Sequence, residues 1–181
     1  MTSRLSADDW AAAALDALAD GGVPAVAVEP IALRLGATKG SFYWHFRNRQ
    51  ALVEAALARW AQQTEDTIER LDQIVDPEAR MRTLLEGVMA DTTDAAISFR
   101  LISAADDSAV GETARRVTER RLAYLQAALE ELGLSPELAR RRVLAGYGAY
   151  LGLAALRRIG AGSTSADFID QLMSDLTRPP S

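Results

Sequence analysis

Basic and aromatic side chains are interleaved near the N-terminus, between residues 34 and 49 of the 181-residue chain. This stretch holds three arginines and one lysine but no aspartate or glutamate, and its aromatic run from Phe42 to Phe46 is interrupted only by His45. Cations interleaved with aromatic rings are typical of a surface that faces nucleic-acid phosphates. A solvated face beside a small core has the same composition, so charge alone does not separate the two interpretations.

The composition disfavours most catalytic chemistry. The chain has no cysteine and a single histidine, His45, which leaves no thiolate and too few ligands for a typical zinc site or a hydrolytic triad. The uncharged run at 143–156 is too short to cross a bilayer, and the four aspartates in residues 1–20 speak against a secretory signal. We therefore expect a cytoplasmic protein that acts by binding, with no cofactor, no metal and no enzymatic activity.

Helical spacing and capping residues divide the chain into helices, and the sequence shows no convincing strand. Ser6 and Asp9 have the spacing of a capping box, and Gly36 suits a positive φ at the end of a short helix. We predict an all-α fold with about nine helices. Their predicted bounds are 6–20, 28–35, 38–45, 49–73, 77–92, 94–104, 109–132, 136–159 and 164–177.

Two of the predicted helices are short and joined by a three-residue turn that begins at Gly36, which is the layout of a helix-turn-helix. The apolar residues of this pair are expected to pack against the first helix, and they are Ile31, Leu35, Phe42 and Phe46. The outward residues of the third helix are rich in hydrogen-bond donors, as a helix that reads a DNA groove requires.

This segment closely resembles the TetR family of bacterial transcriptional regulators. The resemblance covers about residues 6–53 and is carried by Ile31-Ala32, the run 36–46, Asn48-Arg49 and Leu52. It implies a helix-turn-helix DNA-binding domain at 1–48 and a helical effector-binding and dimerisation domain at 49–181.

The resemblance also implies roles for single residues. Thr38 starts the recognition helix, Lys39 and Ser41 face the major groove, and Gly40 allows close approach to DNA. Tyr43 and His45 resemble the family's phosphate-contacting pair, although His45 can instead satisfy a buried carbonyl. Arg49 stands where a lysine commonly contacts the DNA backbone. Trp44 can contact DNA or pack against the fourth helix. The implied DNA-binding set is Thr38, Lys39, Gly40, Ser41, Tyr43, Trp44, His45 and Arg49.

Two positions in the second helix depart from the family pattern. Ala27 stands where the family often has threonine or serine, so a phosphate-binding hydroxyl is lost. Glu29 stands where some members have a basic group that contacts a base. The resemblance therefore implies that sequence reading rests largely on the third helix.

A single recognition helix contacts few base pairs, and each mismatch costs only ~1–3 kcal/mol, so we expect a homodimer that binds two half-sites of an operator. Small residues near one face of the run 143–156 and an apolar stripe in the last helix suggest the interface. The predicted interface residues are Ala145, Gly148, Gly152, Ala155, Phe168, Leu172 and Leu176. The alternative is that these residues serve packing inside one subunit.

Large or adaptable apolar residues in the middle helices can line a cavity for an unidentified small-molecule effector. They are Trp60, Met81, Met89, Phe99, Ile102 and Tyr124, and each can equally be plain core. The arginine clusters at 115–116, 120–121 and 140–142 are predicted to be solvated helix faces.

The leading hypothesis is a dimeric transcriptional regulator, most simply a repressor that a small-molecule ligand releases from its double-stranded DNA operator. The first alternative is a helical small-molecule-binding protein whose head does not read DNA specifically. The second is a helical enzyme, which the single histidine and the missing cysteines disfavour.

Overall fold

The structure, a computed structural model, describes residues 5–90, 92–106, 108–162 and 167–178. Within these ranges the chain forms α-helices and one short 3-10 helix, Val23–Ala25, with no strand. The α-helices are α1 (Ala7–Gly21), α2 (Val28–Arg34), α3 (Lys39–Tyr43), α4 (Arg49–Asp72), α5 (Pro77–Ala90), α6 (Thr92–Ser103), α7 (Ser108–Glu131), α8 (Pro136–Arg158) and α9 (Phe168–Thr177).

The predicted all-α fold is confirmed, and the predicted bounds that can be compared differ from the described ones by no more than two residues. The predicted start of the last helix at residue 164 lies outside the described residues. The 3-10 helix was not predicted, although Pro24 and the positive φ of Gly22 (71°) are local signals for such a turn. None of the described helices combines the length and the hydropathy that crossing a bilayer requires.

Side-chain caps fix several helix starts. In the predicted capping box, Asp9 N donates to Ser6 Oγ (3.2 Å) and Ser6 N donates to the Asp9 carboxylate (2.7 Å). The hydrogen bonds from Ser6 hold the pKa of Asp9 below its usual value. Ser135 occupies the N-cap position of α8, but its side chain makes no capping bond, and Pro136 supplies the first helical residue instead.

The chain divides into two compact units. Unit 1 comprises the described residues of 1–63 and 100–115, and unit 2 comprises those of 64–99 and 116–181. Helices α4, α6 and α7 therefore each contribute residues to both units. The functional division at residues 48 and 49 stays a prediction, because compactness does not report which residues read DNA.

The core of unit 1 is built around aromatic rings from α1 and the helix-turn-helix. Trp10 and Phe42 are both fully buried and meet edge to face, with ring centroids 5.5 Å apart. Phe46 stacks on Phe42 at 5.7 Å. As predicted, Ile31 is also buried, whereas Leu35 is only half-buried. These contacts hold α3 against α1.

The core of unit 2 draws on four helices. Met81 of α5, Leu129 of α7, Val143 of α8 and Met173 of α9 belong to one cluster of buried apolar residues. A charged contact adds to this packing at the end of α9, where Arg142 of α8 donates to the backbone carbonyl of residue 176 at 2.7 Å. The last helix is therefore fixed to its own unit by packing and by a C-terminal hydrogen bond.

A partly buried ion-pair network links helices of unit 2. Arg121 of α7, whose side chain is 15% exposed, donates to both carboxylate oxygens of Asp94 in α6 at 2.8 and 2.9 Å. It also donates to the hydroxyls of Thr64 in α4 and Ser98 in α6, at 2.8–3.1 Å. Tyr150 of α8 donates to the same Asp94 carboxylate at 2.6 Å. The prediction that the 120–121 cluster is solvated is therefore wrong for Arg121.

The network is held in one protonation state. Burial by itself lowers the pKa of Arg121, but the carboxylate of Asp94 outweighs it, so the pKa rises above its usual value. Burial, and then the charge of Asp94, raises the pKa of the Tyr150 phenol. The guanidinium therefore stays charged and the phenol stays neutral at physiological pH.

Asp94→Ala is expected to lower the free energy of unfolding by about 3 kcal/mol, because it removes the carboxylate that makes two hydrogen bonds to the partly buried guanidinium of Arg121. Urea unfolding at one fixed protein concentration measures the change. The matched control is Asp170→Ala, which breaks the more exposed pair with Arg82 and should cost less than about 1 kcal/mol. Equal losses in the two variants would contradict a structural role for the network.

Candidate nucleic-acid interface

The turn between α2 and α3 has the geometry that the sequence predicted. Gly36 adopts a φ of +63°, in the left-handed region that other residues rarely adopt. The chain then reverses, and Ala37 N donates to the carbonyl of Ala32 at 2.8 Å. Thr38 caps α3, since its hydroxyl accepts from Ser41 N at 3.2 Å. These local bonds fix the start of α3 and therefore the direction of its side chains.

The outer face of α3 and the residues after it are available to solvent. Tyr43 is 57% exposed and Trp44 is 79% exposed, although both flank the aromatic core. The exposure of Trp44 favours a surface role over the packing alternative. Of the other predicted DNA-binding residues in this segment, Thr38, Lys39 and Gly40 are exposed and Ser41 and His45 are half-buried. Their contacts with DNA stay predictions.

Gly40 is not demanded by the fold. A methyl group at this position would meet only the Thr38 hydroxyl, at an ordinary contact distance of 3.6 Å. A larger side chain at this position would therefore extend into the space outside the helix. That is the space into which DNA is predicted to approach at Gly40.

An exposed ion pair bridges the two helices of the helix-turn-helix. The Nζ atom of Lys39 lies 2.8 Å from Oε1 of Glu29, and 57% of the Lys39 side chain and 74% of the Glu29 side chain remain exposed. The hydrogen bond from Lys39 lowers the pKa of Glu29, and the hydrogen bond to Glu29 raises the pKa of Lys39. Both groups are therefore charged at neutral pH. This pairing was not predicted from the sequence, because the two residues lie ten positions apart on different helices.

Arg49 has a contact that the sequence did not reveal. Its Nε donates to the carbonyl of Val26 at 2.5 Å, and its Nη2 donates to the carbonyl of Val23. The guanidinium thus ties the first residue of α4 to the 3-10 helix that precedes α2. The predicted contact of Arg49 with the DNA backbone is untested, whereas its role in positioning the helix-turn-helix follows from these bonds.

The predicted effector-binding residues do not belong to one unit. Trp60 and Ile102 belong to unit 1, whereas Met81, Met89, Phe99 and Tyr124 belong to unit 2. Within unit 2, Met81 is 1% exposed and packs in the core cluster. Tyr124 donates to Asp72 at 3.1 Å, and burial together with this bond raises its pKa to about 12. That these six residues line one cavity stays a prediction.

The predicted dimer residues of α8 lie on an open surface. Ala145, Gly148 and Gly152 are exposed and Ala155 is half-buried. A methyl group added at Gly148 or Gly152 would meet nothing within 4 Å. Large apolar residues flank this surface, and their exposed fractions are 65% for Leu144, 45% for Leu156 and 75% for Ile159.

The predicted dimer residues of α9 behave differently. Leu176 is 9% exposed and belongs to the core cluster of its own unit, and Leu172 packs against that cluster. Phe168 is half-buried. The structure therefore favours packing inside one subunit for Leu172 and Leu176, which was the alternative interpretation, and leaves the exposed face to α8.

Arg49→Ala is expected to lower the free energy of unfolding by about 1–3 kcal/mol, because two backbone carbonyls lose a charged donor. Thermal or urea unfolding without DNA measures the change. Arg47→Ala removes the same charge from an exposed position in the preceding loop and should change stability by less than about 0.5 kcal/mol. If the two variants are equally stable, the contact does not position the helix-turn-helix.

Comparison with known proteins agrees with this geometry. Residues 11–56 match the family described as bacterial regulatory proteins, tetR family. The tetracycline repressor protein class A from transposon 1721 of Escherichia coli is 41% identical over 61 residues, which are 33% of this chain and 28% of that protein. The match with this curated relative thus spans little more than a quarter of its length.

Solved structures extend the likeness to the whole chain. A TetR transcriptional regulator from Legionella pneumophila has a TM-score of 0.81 at 13% identity, covering 97% of both chains. A TetR-family regulator from Agrobacterium tumefaciens has a TM-score of 0.72 at 23% identity, covering 96% of this chain and 94% of the other. The regulator FadR of Bacillus subtilis, in complex with stearoyl-CoA, has a TM-score of 0.69 at 15% identity, covering 96% and 98%.

At these identities the structural likeness is one of fold. Residues 11–56 are similar to the tetR family of bacterial regulatory proteins, and the described chain has the fold of solved TetR-family transcriptional regulators.

Proposed function

We propose that the protein is a homodimeric, cytoplasmic transcription regulator that represses by binding an operator in double-stranded DNA and is released by a small-molecule effector. The observation that carries the proposal is the outward face of α3. Phe42 is fully buried, whereas the neighbouring Tyr43 and Trp44 are mostly exposed. A rigid helix with polar and aromatic groups facing outward is what direct reading of a major groove requires.

The proposed contacts follow the exposure of the side chains. Lys39 and Ser41 enter the major groove near the start of α3, where Gly40 leaves room for the DNA backbone or a base edge. Tyr43 and His45 contact phosphates, which supply affinity without sequence information. The acidic balance of the whole chain, −5, speaks against indiscriminate binding of nucleic acid, so affinity has to come from this local surface.

Lys39→Ala and Tyr43→Ala are each expected to weaken operator binding about 5- to 100-fold, because each removes a base or phosphate contact. The assay is binding of the full chain to the upstream DNA of its own gene, with unrelated competitor DNA and at two salt concentrations. Specific binding should survive the competitor and should weaken as salt rises, since bound phosphates release counter-ions.

The control for charge is Arg116→Ala, which removes an exposed cation from unit 2 and should leave operator affinity unchanged. Circular dichroism and the oligomeric state should be the same in all variants. If Lys39→Ala and Tyr43→Ala both bind as the parent protein does, α3 is not the recognition helix. If the parent protein shows no specific binding to this DNA, the result favours the alternative of a helical small-molecule-binding protein.

The open face of α8 supports dimerisation. Its exposed residues recur at spacings of three and four, so they share one side of the helix. Contiguous exposed apolar residues on a soluble chain mark an interaction surface. A two-fold axis through this face would bring the same small residues of two subunits together, and their lack of bulk allows close approach of the two helices. The residues of this α8 face are Leu144, Ala145, Gly148, Ala149, Gly152, Leu156 and Ile159.

Gly148→Leu is expected to convert the dimer to a monomer while keeping the fold. The Cβ atom of the new side chain meets nothing in its own chain within 4 Å, and the side chain would fill the proposed interface. Leucine also favours a helix by about 1 kcal/mol over glycine. Light scattering after size-exclusion chromatography measures the mass. Gly87→Leu is the matched control, since Gly87 also has open space but lies on α5. A dimer that survives Gly148→Leu as it survives Gly87→Leu would exclude this interface.

Release by an effector is supported by the ligand that one structural neighbour binds. FadR of Bacillus subtilis carries stearoyl-CoA in its solved structure, and its fold extends over nearly the whole of this chain. A ligand that prefers the DNA-free conformation must weaken DNA binding by the same factor by which DNA weakens ligand binding. Helix α4 contains residues of both units and offers a continuous element for such coupling.

A further inference from the structure

The surface that we propose to face DNA carries one carboxylate. Glu29 is the only acidic residue between Asp20 and Glu54. It lies in the first turn of α2, with 74% of its side chain exposed. A carboxylate at a DNA interface is repelled by the phosphates, so its presence beside the recognition helix calls for a compensating contact.

Stability does not supply that explanation. Glu29 pairs with Lys39 at 2.8 Å, but both side chains are more than half exposed, and exposed ion pairs contribute little to folding. The pair also leaves most of its hydrogen-bonding capacity unused, because an ammonium has three donors and a carboxylate has about four acceptor positions. The arrangement therefore presents a donor and an acceptor side by side toward solvent.

The hydrogen-bonding groups on the major-groove edge of a G·C base pair complement the donor of Lys39 and the acceptor of Glu29. Guanine offers two acceptors, N7 and O6, and cytosine offers the N4 amino donor beside them. Because O6 and N4 are hydrogen-bonded to each other within the base pair, they are about 2.9 Å apart. That spacing matches the 2.8 Å between Nζ of Lys39 and Oε1 of Glu29.

Resting on the proposed DNA-binding function, we propose that Glu29 and Lys39 form one reading unit that recognises a single G·C base pair in each half-site. The ammonium of Lys39 donates to guanine N7 and O6, and the carboxylate of Glu29 accepts from cytosine N4. In an A·T pair at the same place the lysine keeps the N7 acceptor, but it faces the adenine amino group instead of O6, and the carboxylate faces thymine O4 instead of an amino group, so these two contacts become repulsive. The second helix thus takes part in sequence reading through an acidic residue, at a position where some family members have a basic one.

The experiment is selection of binding sites from random DNA by the full-length protein, followed by affinity measurements on each single-base variant of the selected operator. The parent protein should prefer G·C at one symmetric position of each half-site by about 10- to 100-fold. Glu29→Ala should reduce that preference about tenfold and leave the other positions unchanged. It should also bind DNA of unrelated sequence more tightly, since a repulsive charge is gone.

Lys39→Ala should lose the preference at the same position, and the double variant should lose no more of it than Lys39→Ala alone, because the two groups act as a unit. Lys39→Arg should retain it, since arginine also donates to guanine N7 and O6. The control is Glu54→Ala, which removes an exposed acid from α4 and should change no base preference.

The outcomes separate this inference from the proposed function. If the parent protein selects no operator at all, the DNA-binding function fails. If it selects an operator but Glu29→Ala shows the same preference at every position, or weaker binding that is uniform over all sequences, the reading unit is overturned while the function stands. The reading unit is also overturned if the preference that Glu29→Ala removes is one for A·T and not for G·C.

Discussion

The burial of one aromatic ring determines how the surface that we propose to face DNA is presented. Helix α3 has only five residues, and a helix of that length is not stable by itself in water. Phe42 supplies the missing stability, because its ring is fully buried against Trp10 of α1 and Phe46. Once Phe42 points inward, the adjacent Tyr43 and Trp44 have to point outward. The same contact that folds the helix-turn-helix therefore exposes the groups that we propose to meet DNA.

Contacts between elements that are distant in sequence complete this arrangement. Arg49 ties the start of α4 to the turn before α2, and Glu29 and Lys39 connect α2 with α3. The distribution of charge along the chain also distinguishes the helix-turn-helix from the rest. Residues 1–50 hold five basic and five acidic side chains, whereas residues 51–181 hold fifteen and twenty, so the negative charge lies outside the helix-turn-helix. Such a distribution favours approach to DNA through one surface only.

The parts of the fold that sequence predicted are those determined by neighbouring residues. Ser6 and Asp9 are three positions apart, and Gly36 takes its positive φ where the chain must turn, so both signals are local. The contacts that sequence did not predict depend on which side of a helix a residue occupies. Arg120 and Arg121 are adjacent and chemically identical, yet one pairs with Glu65 at the surface and the other is drawn into the network with Asp94.

In the proposed complex, α3 enters the major groove of DNA as one of two symmetric copies. Dimethyl sulfate methylates guanine N7 in that groove, so protection of guanines in a bound operator reports directly on this contact. The account predicts two groups of protected guanines with their centres about 10 base pairs apart, one per subunit. Binding that leaves every guanine N7 reactive, or that protects a single group only, would contradict it.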